Sequence, residues 1–251
     1  MKKILAAGAV LVASIALMSC GSSGSTEAGS PFVITEDSGV VGYYTFDEDI
    51  VDNEVVDHSG FGMNVYTGSL DGSVKDEGKD GDGLAFNGED EYLTLESALL
   101  EGEEGAGATI AMWVKPTAWK DWARVFDIGD TKEDCWCGMD FNTKMLRFDV
   151  IGAKGAISVL APLPQPGKWT HIAATFGNGF AALYVNGKLS QKLPCAVTCQ
   201  DVLANLVGVY VGRSNWADPL YNGTMDNVLV ANRAFSAKEI ASVYAGVVAA
   251  E

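Results

Sequence analysis

The sequence has little positive charge. Its 251 residues include 17 Lys and Arg but 33 Asp and Glu, which gives a formal net charge of −16 at pH 7. An acidic surface repels nucleic acid and anionic lipid headgroups, so this balance excludes both as partners of the protein surface. The same surface attracts divalent cations wherever the fold assembles a cluster of carboxylates.

Histidine is also scarce, with only His58 and His171 in the chain. Neither accompanies a nucleophile motif, so the sequence gives no support to a serine or cysteine triad. A glycosidase needs two carboxylates at a defined separation in a cleft. The acidic runs at residues 89–91 and 101–104 fall instead at expected turns. We therefore do not expect an enzyme, and a glycoside hydrolase is the least favoured alternative.

Long apolar runs are missing except at the start of the chain. Lys2 and Lys3 precede an uncharged apolar run at residues 4–17, which is shorter than the ~20 residues that a membrane-spanning helix needs. This pattern predicts a signal peptide over residues 1–19. Residues 17–20, Leu-Met-Ser-Cys, resemble a bacterial lipobox, in which the cysteine is acylated after cleavage. An ordinary secretory signal with an incidental cysteine is the alternative.

The segment after this motif predicts how the protein is held. Residues 20–38 are rich in Gly, Ser and acidic side chains, which is typical of a flexible tether. We expect acylated Cys20 to anchor the chain to a lipid membrane. The expected location is the bacterial cell envelope, on the periplasmic face or on the cell surface.

Four further cysteines stand in the remainder of the chain: Cys135, Cys137, Cys195 and Cys199. An even number in an exported domain predicts disulfides. Residues 135 and 137 lie two apart in an expected strand and so share a face, and we expect cross-links from 135/137 to 195/199. A local bridge between 195 and 199 stays open. A four-thiolate zinc site is a further alternative, although the spacing fits it poorly.

Short β-type runs separated by turns fill the rest of the sequence, in keeping with 29 glycines. Residues 109–114 alternate between apolar and other side chains. Asn186-Gly187 stands between two strand-like runs and predicts a hairpin. Ser236 with Glu239 forms a capping-box pattern that predicts one short C-terminal helix. The sequence therefore predicts an all-β, two-sheet antiparallel sandwich or jelly roll as one domain over residues 39–251.

Seven segments in order resemble the laminin-G-like, concanavalin A-like domains. They include the Asp-x-Ser-Gly-x-Gly-x-Asn loop at 57–64 and the Trp-Val-Lys-Pro strand end at 113–116, and the others cover residues 41–47, 83–88, 167–188, 223–228 and 232–240. The resemblance spans about residues 38–246. It implies a concanavalin A-like jelly roll. It also implies a carbohydrate-binding, adhesive or accessory module, because such domains stand beside bacterial glycosidases.

The resemblance further implies a structural calcium ion where the first loop meets the last strands. The matching residues are Asp57 and Asn64 in the loop and Asp226 near the end. Side-chain oxygens with nearby carbonyls supply the ligands that calcium prefers. In the alternative interpretation, Asp57 caps a turn through its own backbone and Asp226 is a solvated acid at a strand end.

Aromatic residues in expected loops are the candidates for a ligand site. Sugar rings stack their C–H faces on aromatic side chains, while amides and carboxylates bind the hydroxyls. The candidates are Trp119, Trp122, Trp216, Tyr221 and Asn222. In the alternative interpretation, these side chains fill the ends of the sandwich. Trp113 lies within a strand and is expected in the core. We therefore expect a membrane-anchored module that binds a glycan. The main alternative is an adhesive or structural module that contacts a surface protein.

Overall fold

The computed structural model describes residues 29–68, 75–100 and 107–249. The predicted signal peptide, the lipidation at Cys20 and the tether up to residue 28 lie outside the described residues. Within the described part of the chain, no helix has the length and apolar character needed to cross a membrane.

Short strands make up most of the described structure. In chain order they are β1 (Phe32–Val33), β2 (Val40–Tyr44), β3 (Glu54–Val55), β4 (Val65–Thr67), β5 (Lys75–Glu77), β6 (Asp82–Asn87), β7 (Leu93–Thr94), β8 (Ala108–Ala118), β9 (Arg124–Gly129), β10 (Asp134–Met139), β11 (Leu146–Gly152), β12 (Gly155–Ala161), β13 (Thr170–Gly177), β14 (Phe180–Val185), β15 (Lys188–Pro194), β16 (Gly208–Val211), β17 (Asn222–Ala231) and β18 (Val247–Val248). The helices are α1 (Cys199–Leu203) and α2 (Ala237–Ala245), with 3-10 turns at Glu36–Ser38 and Ser97–Leu100.

Two large antiparallel sheets form a sandwich. The first sheet has the order β15-β14-β13-β8-β17-β6-β5, and the second has the order β12-β11-β10-β9-β16-β7-β4-β3. Strand β17 is long enough to pair with β6 through Asn222–Met225 and then with β2 through Val228–Ala231. This arrangement confirms the predicted two-sheet jelly roll, and β14 and β15 form the hairpin that Asn186-Gly187 predicts.

The main core lies between the two sheets. The alternation of β8 turns Ile110, Met112 and Val114 inward, as expected for strands with one buried face. Phe148 of the second sheet bridges the layers, since its ring centroid lies 6.4 Å from that of Phe176 in the first sheet. Burial of one such side chain contributes roughly 1.5–3 kcal/mol.

Helix α2 covers the outer face of the first sheet. Ser236 Oγ accepts the Glu239 N–H at 3.3 Å, and Glu239 Oε2 accepts the Ser236 N–H at 2.7 Å, so the predicted capping box is present. Ile240 and Val243 pack into a second apolar cluster with Phe235. The one-turn helix α1 was not predicted, although Thr198 and Asp201 form a second capping box there.

The start of the domain lies earlier than the sequence predicts. Strand β1 belongs to the segment that composition assigned to the tether, yet it pairs in parallel with β18. Phe32 and Ile34 are buried, and the Phe32 ring stacks on Phe235 at 5.2 Å between centroids. These two apolar side chains hold residues 32–34 in the fold because they fill the cluster beneath α2.

The four cysteines of the domain are free thiols, which corrects the prediction of cross-links from Cys135 and Cys137 to Cys195 and Cys199. The first pair faces the main core from β10. Cys199 Sγ donates to Leu100 O at 3.5 Å, and Cys195 Sγ donates to Val197 O at 3.8 Å. Burial raises the pKa of all four thiols, that of Cys199 to about 12. Packing and protonation keep these thiols inert.

Candidate functional site

A row of polar and aromatic residues crosses the outer face of the second sheet. Asp127 on β9, Trp136 on β10 and Asp149 on β11 are direct cross-strand neighbours, and the row continues to Tyr210 on β16 and Ser158 on β12. Successive side chains of a strand point to opposite faces. Trp136 therefore faces outward while the cysteines on either side of it face the core.

We call this surface the acidic-aromatic face. Its members are Trp122, Arg124, Asp127, Asp134, Trp136, Asp140, Phe141, Arg147, Asp149, Asn215, Trp216 and Asp218.

Arg124 is the centre of the face. Its Nη1 lies 2.5 Å from Asp127 Oδ2 and 3.4 Å from Asp134 Oδ2, and its Nη2 lies 3.2 Å from Asp218 Oδ2. The guanidinium carbon also lies 4.3 Å from the ring centroid of Trp136, within cation–π range. The buried guanidinium group of Arg124 thus links β9, β10 and the 214–218 loop.

Arg147 forms a second clamp beside the first. Its Nε and Nη2 each donate to one oxygen of Asp149 at 2.6 Å, which is the bidentate geometry of a strong charge-assisted pair. Nη2 also donates to Ser158 Oγ at 3.1 Å, and Nη1 lies 3.4 Å from Asp140 Oδ1. The guanidinium lies 5.4 Å from the Trp136 ring, so both arginines contact the same indole.

The carboxylates of the face outnumber its two guanidinium groups, and this excess of negative charge affects the pKa of Asp134. Burial, followed by the negative charge of Asp127, raises the pKa of Asp134 to about 7, and the charge of Arg124 opposes that shift only in part. Asp134 is therefore protonated at a much higher pH in the folded protein than a free aspartate is. Asp127, Asp134 and Asp149 are all buried. This cluster of carboxylates is therefore a fixed support beneath the surface and not an exposed pair of acids.

Two of the predicted ligand residues reach this face. The Trp122 ring meets Trp136 edge-on at 6.2 Å and lies 6.3 Å from Phe141, which is itself 48% exposed. Trp216 is 52% exposed, and the backbone N–H and Nδ2 of the preceding Asn215 donate to Asp127 at 2.9 and 3.0 Å. The Arg124–Asp127 pair therefore positions the loop that carries Trp216 as well as the strand that follows Trp122.

The other three predicted ligand residues close one end of the sandwich. Trp119 Nε1 donates to Pro164 O at 2.8 Å, and its ring lies edge-on to Tyr221 at 5.6 Å. Tyr221 is fully buried. Asn222 Nδ2 donates to Asn87 O at 2.9 Å. These contacts give the three residues a part in the packing of the fold.

Sequence analysis missed the charged members of the face. The strands β9, β10 and β11 are otherwise apolar, and they hold Arg124, Asp127, Asp134, Arg147 and Asp149. Charged residues two apart, as in Arg147 and Asp149, are the signal that predicts one polar face on a strand. Phe141 lies in the turn after β10 and had no such signal.

Two of the predicted calcium ligands, Asp57 and Asn64, use their side-chain oxygens in hydrogen bonds that hold the 57–64 loop. Asp57 accepts the Tyr43 and Ser59 N–H groups on Oδ1, and it accepts Ser59 Oγ–H and the Met63 N–H on Oδ2, so both carboxylate oxygens cap the loop. Asn64 Oδ1 accepts the Asp57 N–H at 3.0 Å.

Asp226 is the third predicted ligand. It is buried, and its Oδ2 accepts the backbone N–H groups of Lys79 and Asp80 at 2.7 and 3.1 Å. Among the described residues, no three His, Cys, Asp or Glu side chains form a group that could hold a metal ion.

The fold is a two-sheet antiparallel sandwich with aromatic and acidic side chains on one outer face. The model of one family, described as the concanavalin A-like lectin/glucanases superfamily, matches residues 87–241. The chain belongs to that superfamily. None of the curated proteins matches the chain significantly.

Solved structures share this fold at low sequence identity. Domain 4 of AbnA, a GH43 extracellular arabinanase from Geobacillus stearothermophilus in complex with arabinotriose, is 20% identical with a TM-score of 0.60, over 82% of this chain and 98% of that chain. The botulinum neurotoxin serotype G binding domain is 14% identical with a TM-score of 0.62, over 82% of this chain and 50% of that chain.

Trypanosoma rangeli sialidase in complex with sialic acid is 19% identical with a TM-score of 0.56, over 82% of this chain and 32% of that chain. This chain therefore spans half or less of the length of the neurotoxin and sialidase chains. At these identities the likeness shows the fold alone.

Proposed function

We propose that this protein is an exported, membrane-anchored carbohydrate-binding module, and that its glycan binds on the acidic-aromatic face. One observation carries the proposal: Trp122, Phe141 and Trp216 are exposed or half-buried on a face whose base is a rigid network of Arg and Asp. Aromatic side chains stack on the C–H faces of sugar rings, and polar groups beside them bind hydroxyls.

The backbone at Trp122 supports a preorganised site. Its φ angle is 68°, in the left-handed region that bulky residues rarely adopt. The turn is closed by the Ala123 N–H, which donates to Lys120 O at 3.0 Å. Such strain persists only where the surrounding structure holds it, and it is concentrated at ligand sites. A fixed indole loses little entropy when a ligand binds.

The charge of the protein favours a neutral glycan. The net charge of −16 opposes the approach of sulfated, phosphorylated or sialylated chains. Lys144 Nζ lies 4.4 Å from the Phe141 ring centroid and forms an ion pair with Asp121 at 2.6 Å, so its charge is compensated.

We propose binding without catalysis. A glycosidase requires two carboxylates that reach the scissile bond. Asp127 and Asp134 both pair with Arg124, and both carboxylates are buried. The burial of these carboxylates supports a structural role for them.

Export and anchoring are supported by the sequence of the first twenty residues. We propose that residues 1–19 direct export to the bacterial envelope and that Cys20 is acylated. Metabolic labelling with palmitate is expected to label the wild type and not Cys20→Ala. Equal labelling of both proteins would contradict the anchor.

Glycan binding is tested by a glycan array followed by affinity gel electrophoresis, with and without calcium. Trp122→Ala and Trp216→Ala are each expected to weaken binding about tenfold, the size of one lost aromatic contact. Phe61→Ala is the matched control, because Phe61 and Trp216 are both 52% exposed but Phe61 lies in the 57–64 loop. Unchanged binding in both tryptophan variants, or no glycan bound in either condition, would contradict the proposal.

A further inference from the structure

A cavity lies on the side of the sandwich opposite the acidic-aromatic face. It has a volume of about 320 Å³ and lies between the outer face of the first sheet and the C-terminal end of α2. Trp113 and His171 line its floor, Lys79 and Asp80 approach from the loop between β5 and β6, and Tyr244 closes it from the helix. This volume is at the lower end of the range for small-molecule sites, roughly 300–1,000 Å³.

Three rings form one wall of the cavity. Trp113 on β8 and His171 on β13 are cross-strand neighbours with ring centroids 5.3 Å apart. Tyr244 lies 5.4 Å from Trp113 and 5.7 Å from His171. Trp113 was expected in the core, but it lies on the outer face of the sheet because Met112 and Val114 take the inward positions.

His171 has an unused hydrogen-bonding atom in this wall. The side chain is 1% exposed, and its Nδ1 has no hydrogen-bond partner among the described residues. Burial lowers the pKa of His171 to about 3, so the ring is neutral at physiological pH. A buried polar atom without a partner costs about 1–3 kcal/mol. A ligand hydroxyl that reaches Nδ1 from the cavity would remove that cost.

Polar and charged groups line the rest of the rim. The Tyr43 hydroxyl donates to Asn227 Oδ1 at 2.5 Å. The side-chain NH2 group of Asn227, which also lines the cavity, is left to donate to a ligand. Asp80 lines the cavity and Asp226 lies beside it, so an anionic group meets negative charge there. Lys79 Nζ, 4.8 Å from the Trp113 ring centroid, is a donor at the entrance.

The geometry points to a second carbohydrate site in this cavity, which takes one neutral sugar ring with a hydroxyl on His171 Nδ1 and C–H groups against Trp113 and Tyr244. The inference deepens the proposed glycan binding and rests on it. Because the two sites lie on opposite outer faces of the sandwich, one molecule can hold two sugar chains or two points of one chain, which raises the overall avidity.

Histidine-selective labelling tests the site directly, since His58 and His171 are the only histidines in the chain. The full-length protein with 13C-labelled histidine rings is titrated in an NMR spectrometer with arabinose, xylose, glucose, galactose and mannose in turn. The ring signals of His171 are expected to shift saturably with at least one sugar. Those of His58, which pairs with Glu48 at 2.9 Å in another loop, serve as the internal reference and stay unchanged.

Two variants separate this site from the acidic-aromatic face. Tyr244→Ala is expected to weaken the sugar that shifts His171 by about tenfold, as for one aromatic contact. Trp122→Ala is expected to leave that affinity unchanged, because Trp122 lies on the second sheet's side of the sandwich.

The outcomes distinguish the two proposals. If glycans bind in a Trp122-dependent way while the His171 signals never move, the second site is refuted and the proposed function stands. If ammonium chloride or sodium acetate shifts His171 as strongly as the sugars do, the assignment to a neutral sugar is overturned. If no sugar shifts His171 and no glycan binds to the array, both proposals fail.

Discussion

The buried charge at Asp134 predicts how the stability of the domain depends on pH. Its pKa is about 7 in the folded protein against 3.8 for the free side chain, and the causes are burial and then the charge of Asp127, opposed by Arg124. Between these two values the folded state binds more protons than the unfolded state. The free energy of unfolding that is due to this group therefore falls as the pH rises from about 4 to about 7. One pKa unit corresponds to ~1.4 kcal/mol, so the full effect is up to about 4 kcal/mol.

Asp134→Asn isolates this contribution, because the amide is similar in size and cannot ionise. The variant is expected to gain stability relative to the wild type as the pH rises, by up to about 4 kcal/mol between pH 4 and pH 8. The assay is urea unfolding followed by tryptophan fluorescence at a series of pH values, with the midpoint and the slope fitted at each.

Asp130→Asn is the comparison variant, because the pH dependence of stability due to Asp130 has the opposite sign. Hydrogen bonds from the backbone N–H groups of Glu133 and Lys132 lower the pKa of Asp130, so its contribution is present above the unfolded pKa and is lost as the pH falls. A stability difference between Asp134→Asn and the wild type that stays flat from pH 4 to pH 8 would refute the account of the Arg124 cluster. A difference that shrinks as the pH rises would refute it equally.

Further predictions follow from the packing. Trp119→Ala is expected to lower the unfolding free energy by about 3–5 kcal/mol in urea titrations, whereas Trp216→Ala changes it by less than about 0.5 kcal/mol; similar losses in both would contradict their assigned places. Ser236→Ala is expected to cost ~1 kcal/mol through the lost cap of α2, with exposed Ser190→Ala as the control, and an unchanged midpoint would contradict the capping role. Alkylation in denaturant without reductant, read by mass spectrometry, is expected to modify all four domain thiols; alkylation blocked until a reductant is added would contradict free cysteines. The alkylated residues are Cys135, Cys137, Cys195 and Cys199.

Local sequence signals predicted the architecture well. The Asn186-Gly187 turn and the Ser236–Glu239 capping box act over a few residues, and both are present where the sequence places them. Strand alternation likewise turned Ile110, Met112 and Val114 to the core. These signals succeed because backbone geometry and burial of one face are set by neighbours in sequence.

The candidate site was only partly predictable because its contacts are long-range. Trp119 and Trp122 stand three residues apart in one connecting stretch, yet one donates to Pro164 O and the other meets Trp136 across the outer face. Nothing local distinguishes two such tryptophans. Arg124 also requires knowledge of the sheet order, since its partner Asp218 lies 94 residues away.

The pairing of β1 with β18 has a mechanical consequence. The Phe32 N–H donates to Gly246 O at 2.8 Å, and the Ile34 N–H donates to Val248 O at 3.0 Å. A force applied to the chain before residue 29 would first load these two hydrogen bonds and the Phe32–Phe235 stack. Strand β1 would therefore detach before either large sheet is disturbed, because it pairs only with β18 in a separate two-stranded sheet.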